Sequence, residues 1–321
     1  MPCNRPPFKS SAPAKIILLG EHAVVYGMPA IAAPIQSLRA YACAQPSDTP
    51  LSIRSLEFEK SVAIGSPASD DSLRPLQQLL QIASSYFGMR KPTGDLVIRS
   101  DIPVAGGLGS GAAVSAAAIR ALAALFGRSV SNEDLNQLVF EMERIHHGTP
   151  SGIDNTVVVY ERPVYFQRGK DLELLTVKRP CHIVIADTGR ATMTREAVSR
   201  VRQRYEQRQS ATEEVFVSIG QVASNARGAL ESGKLGQLGA LMSENHRLLR
   251  QLGISSPELD ELVDASIAAG AMGAKLSGGG MGGNMIALVD GSTVPAVRRA
   301  LRQAGAARVV DFVLSLGPVY S

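Results

Sequence analysis

Gly106-Gly107-Leu108-Gly109-Ser110-Gly111 runs directly into Ala112–Phe126, a segment made almost wholly of small and apolar residues. Few arrangements satisfy such a join. Glycines supply a tight turn out of a preceding strand, and the alanine-rich run that follows reads as a helix buried on most sides, ending near Gly127. A helix that begins this way points unpaired N–H groups and the positive end of its dipole at whatever lies before it, which suits an anion. A turn that needs glycine for steric reasons alone fits the hexapeptide equally well. It is not a Walker loop, because no Lys-Ser or Lys-Thr pair follows the last glycine. The spacing Gly107-x-Gly109-x-Gly111, set after a proline-containing loop, also misses the dinucleotide fingerprint. A phosphate cradle of another kind remains.

The chain around this feature has 321 residues, enough for two domains of ordinary size, with 45% hydrophobic and 19% charged residues. It can therefore bury a full core. A net charge of +4 spread over the whole length, no Trp and 5% aromatics argue against a nucleic-acid partner. Three scattered cysteines (Cys3, Cys43, Cys181) suggest neither a disulfide framework nor a zinc site, and a reducing, cytoplasmic setting is expected. No signal peptide or membrane span is visible, since the longest apolar stretch is interrupted by Ser115 and Arg120.

Lys15–Leu19 reads as a buried strand, residues 55–75 as a surface connection and 76–87 as an amphipathic helix. Leu96–Ile98 is a short strand ahead of the glycine loop. A helix starts at the N-cap Ser131 and shows one apolar stripe, Leu135, Leu138, Val139, Met142 and Ile145, with Glu143 at its margin. Strands are expected at 156–160, 164–166 and 172–177, and the pattern resets near Arg179-Pro180 with the strand His182–Ala186. Two domains follow, 1–180 and 181–321. The second carries helices at about 194–207, 213–231, 236–252 and 257–269, and a final strand at 309–314. The mix favours α+β.

A second glycine cluster, Ser277-Gly278-Gly279-Gly280-Met281-Gly282-Gly283, sits between two strands. So many entropically costly residues imply a steric or ligand-contact reason, a wide β-turn being the plain alternative. Asp154 follows the turn His146-His147-Gly148-Thr149-Pro150-Ser151-Gly152, on a loop, where a turn or cap role competes with a catalytic one. His146 reads as packed on the apolar face, with His147 pointing away. Arg195, Arg200, Arg202, Arg204 and Arg208 read as a solvated helix face, the first also a candidate for anionic ligands.

Taken in order, these segments resemble the GHMP small-molecule kinase superfamily, and within it the mevalonate kinases. Ala12 to Gly27, containing Gly20-Glu21-His22-Ala23-Val24-Val25-Tyr26-Gly27, resembles the N-terminal signature. Pro103 to Ala113 resembles the ATP-phosphate loop and Lys275 to Gly283 the C-terminal glycine motif. Glu143 with His147-Gly148-Thr149-Pro150-Ser151-Gly152-Ile153-Asp154-Asn155, and Asp187 to Thr194, match as well. The resemblance implies a ribosomal-protein-S5-like N-terminal domain, a ferredoxin-like C-terminal domain with ATP in the cleft between them, and a homodimer. It implies transfer of the γ-phosphoryl group of ATP to the 5-hydroxyl of mevalonate, with Mg²⁺. By the same carry-over Asp154 is the base and Lys15 lies beside it. Glu143 is the Mg²⁺ ligand, Glu21, His22, Thr194, Ser277 and Gly278 face the substrate, and Gly106, Gly107, Leu108, Gly109, Ser110, Gly111 and Ala112 hold the nucleotide.

One departure stands out. The family loop usually carries a second serine, associated with Mg²⁺, where this chain has Gly111, which leaves Ser110 or a water to supply that oxygen. Two other readings stay open on sequence grounds: a related enzyme acting on phosphomevalonate or another small alcohol, and a non-catalytic metabolite sensor.

Overall fold

The protein is described here by a computed structural model covering residues 7–66, 73–103, 106–147, 150–190 and 194–315, the side chains at 146–147 and 194–195 excepted. Its strands and helices run in the order β1 (Phe8–Leu19), a 3₁₀ turn (Ala23–Tyr26), β2 (Ala30–Pro50), β3 (Ser52–Ser55), β4 (Lys60–Ala63), α1 (Arg74–Tyr86) and β5 (Thr93–Ser100). Then come α2 (Ser110–Leu125), α3 (Asn132–His147), α4 (Ile153–Tyr160), β6 (Val164–Phe166), β7 (Glu173–Leu174) and β8 (Cys181–Asp187). The remainder is α5 (Thr194–Gln207), α6 (Gln209–Ser232), α7 (Leu235–Gln251), α8 (Pro257–Ala268), β9 (Gly273–Ser277), β10 (Asn284–Val289), α9 (Val294–Gln303) and β11 (Arg308–Leu314).

The chain divides into two compact units, neither continuous in sequence. One comprises Met1–Ala14, Gln36–Pro103 and Gly109–Glu161; the other comprises Lys15–Ile35, Val104–Leu108 and Arg162–Ser321.

In the first unit the later part of β2 pairs antiparallel with β5 (Ala42 opposite Ile98), β5 pairs parallel with β3, and β3 pairs antiparallel with β4. Helices α1 and α2 pack on this sheet, and α3 and α4 pack on those helices and on each other. As its composition implies, α2 is buried on most sides, and its alanines let α3 and α4 approach closely.

Residues 153–160 form a helix and not the expected strand. In a run of β-branched residues such as Thr156-Val157-Val158-Val159, all of them buried, the two periodicities cannot be told apart, and packing decides. Asp154 therefore lies in the first turn of α4, not on a loop. The far end of α4 is fixed by charge. Arg120 donates to the Val159 carbonyl at 2.8 Å, and the Glu161 carboxylate takes bonds from Arg39 (2.9 Å) and Arg120 (3.0 Å).

In the second unit the first residues of β2 pair with β6 (Ile31 opposite Tyr165), and a four-stranded antiparallel sheet has the order β11-β8-β10-β9. Helix α7 meets β9 with almost no space between backbones. A Cβ added to Gly273 would lie well inside contact with the Gly239 carbonyl. Several elements escape the sequence reading: most of β2, β3 and β4 near the expected surface connection, and α9.

Candidate active site

In the second unit the glycine loop is held by its backbone. Leu108 O accepts from the backbone N–H of Lys15 at 2.9 Å, and Gly106 O accepts from the Asn284 side-chain amide. Gly107, at φ +71°, is exposed, while Leu108 is buried. Across from it, a Cβ on Gly278 would stand 3.9 Å from Gly107 O, and Ser277 Oγ donates to Ile17 O at 2.9 Å. Lys15 itself is 4% exposed on β1.

The corner Gly20-Glu21-His22 lies at the end of the same strand. Gly20 is obligatory: its φ is +97°, and a Cβ there would be 2.5 Å from Ala30 Cα. His22 has φ +60° and ψ −47°, outside the left-handed basin, a strain of about 1–3 kcal/mol that the surroundings must hold. Its Nε2 lies 2.8 Å from Gly279 O. A carbonyl only accepts, so Nε2 carries the proton and Nδ1 is the acceptor of the neutral ring. Burial lowers the His22 pKa to about 4, with Lys275 adding to the effect against the Gly279 bond.

Glu21 is 1% exposed and pairs with the fully buried Lys275. Its other oxygen accepts from Asn245 Nδ2 at 3.1 Å, and Asn245 Oδ1 accepts from Gly20 N at 3.3 Å. Burial lowers the Lys275 pKa, and Glu21 opposes that. Behind them His246 Nδ1 accepts from Leu276 N (3.3 Å) and Nε2 donates to Asp260 (3.1 Å).

In the first unit Gly109, φ +75°, caps α2 without any side-chain bond to the free N–H groups, and Ser110 is half-buried beside it. Ala112 is buried, so only its backbone can serve a ligand. On α3 the stripe holds through Met142, but Ile145 is 43% exposed while Glu143 is 4% exposed. An acid buried two residues from an exposed isoleucine is an inversion that folding alone does not favour. Glu143 Oε1 lies 3.2 Å from where a Cβ on Gly111 would be. Asp154, half-buried, lies in the first turn of α4.

The GHMP kinases N terminal domain family model matches residues 76–162, and the GHMP kinases C terminal model matches 226–307. A mevalonate kinase of Pyrococcus horikoshii is 38% identical over 88% of this chain and 88% of its own length. The chain belongs to the GHMP kinase family, in its mevalonate kinase branch. Among solved structures, the L. major mevalonate kinase in complex with R-mevalonate superposes on this GHMP kinase with a TM-score of 0.83 at 27% identity, covering 98% of each chain. The Methanococcus jannaschii mevalonate kinase shares the fold, with a TM-score of 0.85 at 24% identity over 98% of this chain and 100% of its own.

Thr194 opens α5, but its side chain, like those of His146 and His147, lies outside the described residues, as do Gly148, Thr149 and residues 191–193. Arg200, Arg202 and Arg208 are exposed on or just after α5, as a solvated face requires. The sequence reading missed Asn245 and His246 and gave Lys275 no role. A signal existed for the first: Leu238, Met242, Asn245 and Leu249 form one helical stripe, and only one member is polar.

Proposed function

We propose that this GHMP kinase transfers the γ-phosphoryl group of ATP to the 5-hydroxyl of mevalonate, giving 5-phosphomevalonate and ADP. The observation that carries the reading is the 38% identity, over most of both chains, to a curated mevalonate kinase. Such a transfer depends on positioning and charge neutralisation more than on covalent chemistry. Backbone amides of Gly106 to Ala112 would face the phosphates, at the uncapped start of α2. Asp154 is the base that takes the hydroxyl proton, and Lys15 stabilises charge on the transferred group. Glu21, His22, Thr194, Ser277 and Gly278 serve the acceptor.

The residues fit Mg²⁺. A buried carboxylate, Glu143, with space at Gly111 that a side chain would otherwise fill, and the Ser110 hydroxyl form the sparse hard-oxygen set this ion accepts. The ion, when bound, neutralises phosphate charge.

The same reading includes a homodimer, a cytoplasmic location and a division of the sequence near residue 180, which falls between the two matched family segments. Among the described residues no helix is long and apolar enough to cross a membrane. The test is ADP release, coupled to an optical readout, across mevalonate, its 5-phosphate and other small alcohols, with and without Mg²⁺. Preference for mevalonate is expected; strong preference for the phosphate, or no turnover of any acceptor, overturns the reading.

A further inference from the structure

The Glu21 carboxylate does not look outward. It is almost wholly buried, one oxygen is taken by Lys275 and the other by Asn245, and Asn245 returns to the backbone of Gly20. Three groups from three elements thus close a ring around the corner that precedes His22: the turn after β1, helix α7 and strand β9. Lys275 also donates to Leu276 O at 2.5 Å, so the strand that carries the 277–283 glycines is tied to the same ring. Leu276 N is tied in turn to His246, whose other nitrogen reaches Asp260; Asp260 is held by Ser255 (2.6 Å) and Arg250 (3.1 Å). A buried charge pair is a poor source of net stability, so its presence calls for another reason.

We propose that Lys275 and Asn245 are positioning residues for the phosphoryl acceptor: through the Glu21 carboxylate they fix the Gly20–His22 corner, with His22 Nε2–H on Gly279 O and Nδ1 left as the lone pair for a hydroxyl of the substrate. On this inference, which rests on the acceptor reading above, Glu21 works through His22 and not by touching the acceptor. The strained backbone of His22 is consistent with this, because such a conformation persists only where its surroundings over-determine it. Burial of the ring favours its neutral form, the one that has an acceptor nitrogen.

The test uses the full chain and three variants: Lys275→Met, Asn245→Ala and the double variant Glu21→Gln/Lys275→Met. The double variant removes both charges and keeps the fold accessible if the single one unfolds. Two quantities are read: the His22 ring tautomer by ¹⁵N NMR in the ligand-free enzyme, assigned with His22→Gln, and the KM values for mevalonate and ATP. The folded variants are expected to lose the single Nε2–H tautomer and to raise KM for mevalonate by about tenfold or more, with KM for ATP within about twofold. A wild-type tautomer with unchanged KM for mevalonate in the double variant overturns the proposal. If wild-type enzyme turns over no acceptor, the functional reading fails separately. The tautomer measurement then still decides the positioning role, a wild-type ring in the variants overturning it.

Discussion

Glu143 Oε1 stands 3.2 Å from the position a Cβ on Gly111 would take, both residues lying in the first unit. The contact is tight, but its partner is the end of a side chain that can yield by a few tenths of an ångström. Gly111→Ser should therefore fold normally, with Tm within about 4 °C. Its hydroxyl would join the Glu143 carboxylate, so the Mg²⁺ concentration for half-maximal ADP release should fall several-fold. Glu143→Gln should raise it by about tenfold or more. Identical Mg²⁺ titrations for both variants and the wild type would remove Glu143 from the metal site.

Asp154→Asn should lower kcat by about 10²-fold or more, the usual loss for a positioned base, while ATP affinity measured by calorimetry stays within about threefold. Full activity of this variant would refute the assignment. Asn has nearly the shape of Asp, and losing a negative charge in the first turn of α4 should cost about 1 kcal/mol or less, so a large loss of Tm is not expected.

The alanine-rich α2 and the helices α5 to α8 were legible because period and composition agreed over long stretches. So were the two glycine clusters. Residues 153–160 were not, because Thr156 to Val159 satisfy both periods and only contact with α2 and α3 selects the helix. The 21 residues of β2 carry three prolines and a polar end, which mask a strand built from small buried residues. At the site, the residues on named motifs could be read in advance. The Lys275–Glu21–Asn245 ring could not, because it joins residues more than 200 positions apart, and nothing in a local pattern links them.

Stability should fall with acid in a way traceable to His22. Its pKa in the folded protein, about 4, is below the usual 6.5, so between these values the unfolded chain binds more protons. Stability then rises with pH through that window and is lost as pH falls toward 4, by about 3 kcal/mol at most from this residue. His246, lowered chiefly by burial, acts in the same direction. Urea unfolding of wild type and His22→Gln at pH 7 and pH 4.5 checks this. Parallel pH dependences in the two proteins would rule His22 out as a source.

Gly239→Ala or Gly273→Ala should cost about 3 kcal/mol or more, because the added methyl meets backbone and not a side chain that can swing aside. Both should also raise KM for mevalonate, since α7 carries Asn245 and β9 carries Lys275. Thermal melts and kinetics on the same preparations test the link, and a melt indistinguishable from wild type would show that the helix and strand can separate freely.

Strand β2 begins in one unit and finishes in the other, and the second unit also claims Lys15–Ile35 from near the start of the chain. A ribosome that has released the first half of this polypeptide has delivered nearly all of the first unit together with the Lys15–Ile35 stretch that belongs to the second, and a gene fragment beginning at codon 181 would lack both that stretch and β6. Shuffling of such halves between relatives is correspondingly restricted, and whatever drift occurs in one unit must be tolerated by a ribbon of chain that the other also uses.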